Sequence, residues 1–432
     1  MTQSPILLIL AGGASSRMWP LREKSLLRFG ADPLLLDQLR RYCQLGFQQG
    51  IIVANPDNQA LIAELITPLQ SQMSLTVVVQ ELPKGMGDAM LQAAPILADA
   101  PDAPIYITQV HDVVDVQLHK NMLKAFAQDP NATYLAGYEM ADYFPGGYLV
   151  VKDGRVTGII EKPGAENRPS NLVNIVAHIH QRAGTLFDAL RAEYAGSIAA
   201  DDHYERTMDK LMQQYVYKVV PYSGRWSALK FPWHVLDVMD YYLSQISGQT
   251  IGEKVFIADT ARLVGNVYIG PGAQIFPGAA VVGPAYIGAG TIVGNNSLVR
   301  NSLVLDHCEV GFTTEVARSY VADHCAMHAC RVLDSIFAEG VNFSAGCTTA
   351  NLRMDRGNVP SVIKGNKMYS GRHKLGAIIG KDAFLSVDVM TMPGVKIGER
   401  AQVGPGTHVF KDVLDGQRVY VQQQIRVIDD AN

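Results

Sequence analysis

Apolar and polar positions follow two rhythms along this chain. From residue 5 to about 245, short apolar runs alternate with stretches whose apolar residues recur every three or four positions. Ile6–Leu10 has the length and uniform apolarity of a strand buried on both faces. Residues 51–54, 75–80, 105–108, 133–137 and 215–221 also read as strands, and 37–46, 88–98, 118–128 and 201–214 as helices. Segments 148–151 and 155–160 flank Asp153-Gly154, a hairpin turn signal. This alternation predicts βαβ units and an α/β fold with a mostly parallel sheet. Ligands of such sheets sit beyond the carboxyl ends of the strands.

After residue 250 the period becomes six. Ile257, Leu263, Ile269, Ile275, Val281, Ile287, Val293, Val299 and Leu305 fall on one comb. Small residues often stand two positions earlier: Ala261, Ala273, Ala279, Ala285, Thr291 and Ser297. The comb blurs between about 310 and 376, then resumes at Ile379, Leu385, Thr391, Ile397, Val403 and Val409. A single hexad cannot bury its apolar residue, so stacked turns must build a continuous core. Two domains are expected, 1–245 and 251–432. The second resembles the left-handed parallel β-helix of hexapeptide-repeat proteins, which implies three-fold assembly.

Composition narrows the function classes. The 432 residues are 48% hydrophobic and 18% charged, enough apolar material for two buried cores. A net charge of −4 offers no basic field to nucleic acid or an acidic membrane, so neither is expected as a partner. No window reaches the length of a membrane span, and the start lacks the layout of a secretory signal. Cys43, Cys308, Cys325, Cys330 and Cys347 are scattered and odd in number, which predicts reduced thiols and a cytoplasmic protein. His324, Cys325, His328 and Cys330 crowd together, but their spacing matches no standard zinc pattern, and small cysteines suit a tight coil interior.

The chemistry concentrates after the first strand. Ala11-Gly12-Gly13-Ala14-Ser15-Ser16 is a run of small residues whose backbone N–H groups can approach a phosphate closely. Arg17 and Lys24 add two cations, and the set suggests nucleoside triphosphate binding. The string resembles the opening of the sugar-1-phosphate nucleotidylyltransferase family, roughly LAGGxGTRMxPLTxxxPK. Ser15-Ser16 replace its Gly-Thr, and Glu23 replaces the proline before its lysine. The resemblance implies a Rossmann-like domain with a cradle at Ala11, Gly12 and Gly13. It places Arg17 on the pyrophosphate leaving group and Lys24 near the α-phosphate.

Further segments match the same family in order. Gln80 and Gly85, in the stretch from Gln80 to Ala89, match its base-reading segment. Asp112, ending a strand-like run after His111, matches its Mg²⁺ ligand; a carboxylate at a strand end suits that ion. Glu161 and Lys162, before Pro163, match its sugar site, where a carboxylate takes hydroxyl hydrogen bonds and a cation meets the sugar phosphate. Asn174 matches a sugar-contacting asparagine. Many members carry a second metal-binding acid where this chain has Ala228, and Lys230 stands nearby as a substitute positive charge. The implied reaction is attack of a sugar-1-phosphate on the α-phosphorus of UTP or dTTP, releasing pyrophosphate and an NDP-sugar.

The blurred part of the comb resembles the acetyltransferase half of bifunctional enzymes that make UDP-N-acetylglucosamine. There His328 matches the general base, for which imidazole suits because it titrates near neutrality. Asn342, Asn351 and Lys374 match sugar-phosphate and amine contacts, whereas Arg331 stands where a tyrosine is typical. Ala317 lies near the place of a phosphate-binding lysine. Acetyl-CoA would be the co-substrate. Two other readings stay open: a non-catalytic regulatory or scaffolding subunit, which Ala228 favours, and an acetyltransferase alone.

Overall fold

The computed structural model describes residues 4–144, 146–196 and 202–428. Their contacts form two compact units. The first comprises Met1–Ala14, Ser25–Leu27 and Pro33–Ala228; the second comprises Ser15–Lys24, Arg28–Asp32 and Leu229–Asn432.

The first unit is built on strands β1 (Ile6–Leu10), β2 (Gln49–Ala54), β3 (Ser74–Val79), β4 (Ile105–Gln109), β5 (Asp112–Val114), β6 (Thr133–Glu139), β7 (Gly147–Lys152), β8 (Arg155–Glu161), β9 (Leu172–His180), β10 (Tyr217–Tyr222) and β11 (Trp226–Ala228). Its helices are α1 (Leu34–Gln44), α2 (Gln59–Leu65), α3 (Met86–Leu91), α4 (Val116–Gln128), α5 (Ala183–Ala195) and α6 (His203–Met212). The main sheet runs β10-β6-β9-β4-β1-β2-β3. β1 pairs in parallel with β2 and β4, and β2 with β3, whereas β9 runs antiparallel to both β4 and β6, so the sheet is mixed. Leu7, Leu8 and Ile9 are fully buried, as a central strand covered on both faces requires.

Element ends differ from the sequence reading for local reasons. The helix expected over 88–98 is α3, which begins earlier and stops at Leu91; the chain then continues in three-residue turns past Pro95, whose ring cannot continue a helix. The helix expected over 201–214 is α6; position 201 lies outside the described residues. Asp153 and Gly154 both adopt positive φ, 49° and 74°, as a two-residue hairpin turn demands.

The second unit winds as a left-handed parallel β-helix of three sheets, with helix α7 (His234–Ser244) ahead of it. Strands of two or three residues stack coil on coil: Ile257 on Ile275, Ile275 on Val293, Val281 on Val299. Ile269, Ile275, Val281, Ile287, Val293 and Val299 share one core that continues through Ile379, Leu385, Ile397, Val403 and Val409. The tooth expected at Leu305 is displaced: Val304 pairs with Ile287 and enters the core instead. The reason is a change of coil length. Gln249 pairs with Val267 across 18 residues, Leu303 with Tyr320 across 17, and Ile336 with Ile378 across 42. The longest span carries an antiparallel hairpin, Pro360–Ile363 with Asn366–Tyr369. Shortened coils and this excursion account for the blur.

The inner corners hold small donors. Thr291 and Ser297 hydroxyls donate to the Leu305 and Gly311 carbonyls at 2.5 and 2.6 Å. Cys308, Cys325, Cys330 and Cys347 occupy equivalent corners, and their thiols meet carbonyls of the next coil at 2.9–3.1 Å. All four are buried and free, and no metal-binding cluster of His, Cys, Asp or Glu occurs among the described residues. No helix among the described residues is long and apolar enough to cross a membrane.

Candidate active site

The glycine turn follows β1, at the carboxyl end of a central parallel strand. The Ala11 N–H donates to the Val53 carbonyl at 2.8 Å, which carries the turn against β2. A Cβ on Gly12 would lie 2.8 Å from the Ala54 carbonyl oxygen, so a side chain is excluded there. Asn58 and Ser25 donate to the Ala11 carbonyl at 3.1 and 3.3 Å, and Asn55 donates to the Gly12 carbonyl at 3.4 Å. These carbonyls are therefore held away from any anion, leaving the N–H side of the turn for it. Asn55 and Asn58 were not singled out in the sequence, although Asn-Pro-Asp-Asn after an apolar run is a turn signal.

Gln80 follows β3, two strands away in the same sheet. Its side-chain nitrogen donates to the Gly85 carbonyl at 3.0 Å and to Asp88 Oδ2 at 2.8 Å. Both partners accept only, so the amide orientation is fixed and its oxygen remains to accept from a ligand. Gly85 has φ of 93°, a conformation that disfavours other residues. The Asp88 N–H in turn donates to the Tyr194 hydroxyl at 2.8 Å.

Asp112 opens β5, just past the carboxyl end of β4. β5 pairs antiparallel with β11, and Ala228 lies directly opposite Asp112. The Trp226 indole donates to Asp112 Oδ1 at 3.1 Å and packs on Tyr138 and Phe144. The position of the family's second acid is thus a cross-strand neighbour of the first, and here it carries only a methyl group. Asp112 therefore stands without a second carboxylate across the β5–β11 pair.

Glu161 and Lys162 close β8. A Cβ on Gly147 would meet Glu161 Oε1 at 2.7 Å, so the glycine lets the carboxylate lie against the backbone. Lys162 sits at φ 46° with its N–H on the Gly146 carbonyl. Asn174 lies in β9 opposite Gly137, and its Oδ1 is 2.9 Å from His178 Nε2. His178 and His180 both meet the Tyr204 hydroxyl at 2.8 Å. Burial lowers both histidines to about 3, with each other's proximity adding to His178, so they stay neutral. Glu205 is raised to about 7, first by burial and then by Glu161, Asp202 and Asp209. His178, Tyr204 and Glu205 had no distinguishing spacing in the sequence.

Arg17, Lys24 and Lys230 belong to the second unit. Arg17 is exposed, with its guanidinium 5.8 Å from the Phe231 ring centre. The Lys24 N–H reaches the Ser15 hydroxyl at 3.4 Å, and the Lys230 N–H reaches His234 Nδ1 at 3.2 Å. The segment around Arg17 is tied into this unit: the Trp19 indole donates to Asp415 at 2.8 Å, and Arg22 pairs with Glu399 at 2.8 Å.

The second group of candidates lies on the coils. His328 follows the strand Ala326–Met327, which pairs with Asn342–Phe343, and its ring is exposed. Arg331 starts the next strand, paired with Thr348. Asn351 donates to Asp334 Oδ2 at 2.5 Å, and Arg318 forks onto the same buried carboxylate at 2.7 Å through two nitrogens. Lys374 bridges to Leu352 and is exposed. The coil register brings His328 and Asn342 onto neighbouring turns, while Asn351 is committed to Asp334.

Comparison with known proteins agrees with this architecture. Residues 6–227 match the family described as Nucleotidyl transferase, and 263–354 match the GMPPB C-terminal domain. The chain belongs to the nucleotidyl transferase family and is an enzyme. Among its relatives is a bifunctional sugar-1-phosphate nucleotidylyltransferase/acetyltransferase of Sulfurisphaera tokodaii, 28% identical over 95% of this chain and 98% of the relative. The bifunctional protein GlmU of Methanococcus maripaludis is 27% identical over 98% of this chain and 99% of its own. A solved UDP-glucose pyrophosphorylase complexed with UDP-glucose is 17% identical and covers 57% of this chain and 100% of its own, with a TM-score of 0.48.

Proposed function

We propose that the enzyme joins a nucleoside triphosphate to a sugar-1-phosphate, forming an NDP-sugar and pyrophosphate. One observation carries the reading: the first unit sets the glycine turn, Gln80 and Asp112 at the carboxyl ends of parallel strands of one sheet. Gln80 favours UTP or dTTP, since its free amide oxygen pairs with a ring N–H such as that of uracil or thymine. Ala11, Gly12 and Gly13 cradle the phosphates, with Gly85 beside the base. Glu161, Lys162 and Asn174 take the sugar and its phosphate, and Lys230 adds charge. The sugar phosphate oxygen attacks the α-phosphorus in line; Lys24 steadies that phosphate, and Arg17 steadies the departing pyrophosphate. Asp112 would hold a Mg²⁺ ion, which when bound would supply charge neutralisation at the phosphates.

The full-length similarity to a bifunctional relative favours a second activity on the coils. His328 would take the amine proton of glucosamine-1-phosphate as the acetyl group leaves CoA sulfur for nitrogen. Asn342, Asn351, Arg331 and Lys374 surround this reading, and Asn351 must then share Asp334 with the substrate. Free buried thiols support a cytoplasmic setting, and the coil fold supports a homotrimer.

The test is a matrix of UTP, dTTP, ATP and GTP against sugar-1-phosphates with Mg²⁺, read by pyrophosphate release. Release with a uracil or thymine nucleotide is expected; none with any pair removes the transferase reading. Acetyl-CoA with glucosamine-1-phosphate should release thiol, and His328→Ala should stop this while pyrophosphate release continues. No thiol release by wild type removes the second activity.

A further inference from the structure

A cavity of about 790 Å³ opens in the second unit, and of the candidate site residues described above Arg17 alone lines it. Its walls are the Arg17 segment, the hairpin that interrupts the coils, and turns of the last coils. The volume lies in the range of small-molecule sites. The charge of its lining is one-sided. Arg17, Lys364, Lys367, Lys396 and Lys411 face a single carboxylate, Asp412. That excess stands out in a chain whose net charge is −4.

Asp412 is already used. It pairs with Lys396 Nζ at 3.3 Å and accepts the Lys396 N–H at 2.9 Å. Lys396 is only 3% exposed; its ammonium also donates to the Val362 carbonyl and lies 4.5 Å from the Trp19 ring centre. Lys396 is therefore a fixed, compensated part of the wall. Lys364 and Lys411 are exposed and make no ion pair among the described residues. The rest of the lining is largely carbon: Val362, Ile363, Val395, Leu414 and Phe410, with Phe410 71% exposed. A bare inorganic anion has no use for an apolar floor and an open aromatic face. A ligand with phosphates at one end and a ring at the other uses both, since phosphates pair with lysines and bases stack on aromatic rings.

We propose that this cavity binds a nucleoside polyphosphate, separately from the nucleotide site of the first unit. Lys364 and Lys411 take the phosphates and Phe410 the base. Arg17 shares the cavity, so an occupant there competes for the cation that the transfer reaction is proposed to use.

The test is equilibrium binding of ADP to the full chain by calorimetry, with inorganic pyrophosphate as a second probe. Wild type should bind ADP more tightly than pyrophosphate. The double variant Lys364→Glu/Lys411→Glu should weaken ADP by at least ~10-fold, and Phe410→Ala should weaken ADP but not pyrophosphate. Gln80→Ala, altered only in the first unit, should bind ADP as wild type does. Circular dichroism checks folding, and Phe410→Ala removes only an exposed ring if the charge reversal misfolds. No ADP binding at millimolar concentration, equal binding by the charge-reversed protein, or loss in Gln80→Ala alone would each overturn the proposal. None of these readouts requires pyrophosphate release, so a failure of the transferase reading is seen separately.

Discussion

The two units hide different kinds of polar group. The sheet unit buries side chains that titrate: His119, His178, His180 and much of Glu205. The coil unit buries mainly hydroxyls and thiols, most of them hydrogen-bonded to backbone carbonyls, and its two buried charged groups, Asp334 and Lys396, are ion-paired with Arg318 and Asp412. The difference follows from architecture. A coil corner presents the same carbonyl at every turn, and a small neutral donor answers it each time. A mixed sheet under helices leaves irregular gaps, which longer polar side chains bridge. Loss of stability on mild acidification should therefore belong mainly to the first unit, where the buried histidines lie.

Acidification gives the largest effect. Burial lowers His119 to about 4 and His178 and His180 to about 3, against an ordinary value of 6.5. The unfolded chain then binds protons that the fold refuses, so their contribution is intact above 6.5 and is lost as pH falls. Each histidine should cost about 1–2 kcal/mol at pH 5. Hydrogen exchange at pH 7 and pH 5 should show the sheet strands losing protection while the coils keep theirs. Equal loss in both would break the contrast.

Arg17→Ala comes next, with turnover at least ~100-fold lower in a folded protein, the scale of one preorganised charge donor. Its segment is anchored within the coil unit, so wild-type turnover would confine the chemistry to the first unit alone. Glu205 runs opposite to the histidines. Its raised value, about 7, means that stability present below the ordinary 4.5 is lost as pH rises through 7. Glu205→Gln should be about 3 kcal/mol more stable than wild type at pH 8 by denaturant melts, with no difference at pH 4. The smallest effect expected is Ala228→Asp, which sets a second carboxylate opposite Asp112 and should lower the Mg²⁺ concentration for half activity about 10-fold.

Much of this architecture was legible in the chain. Uniform apolarity exposed β1, and the period of six exposed the coils, because each coil repeats one corner with one residue type. The comb failed where coils shorten, and Val304 replaced Leu305 for that reason. β9 was not read as a strand; Asn174 and His178 interrupt its apolar run, and only tertiary hydrogen bonds make them fit. Motif residues were found because their spacing is local. The partners that orient them were not: Trp226 reaches Asp112 across 114 residues, and Tyr194 reaches Asp88 across 106. The grouping of the Arg17 segment with the coils depends on Asp415 and Glu399, some 400 residues away, and no pattern in the opening string announces it.

The proposed nucleotide transfer depends on a metal ion held by Asp112. Pyrophosphate release by wild type and Asp112→Asn, titrated with Mg²⁺, tests it most directly. The expected result is metal-dependent release by wild type, and in the variant a lower rate together with a Mg²⁺ requirement shifted to higher concentration. A variant that titrates like wild type, with an unchanged rate, would contradict it.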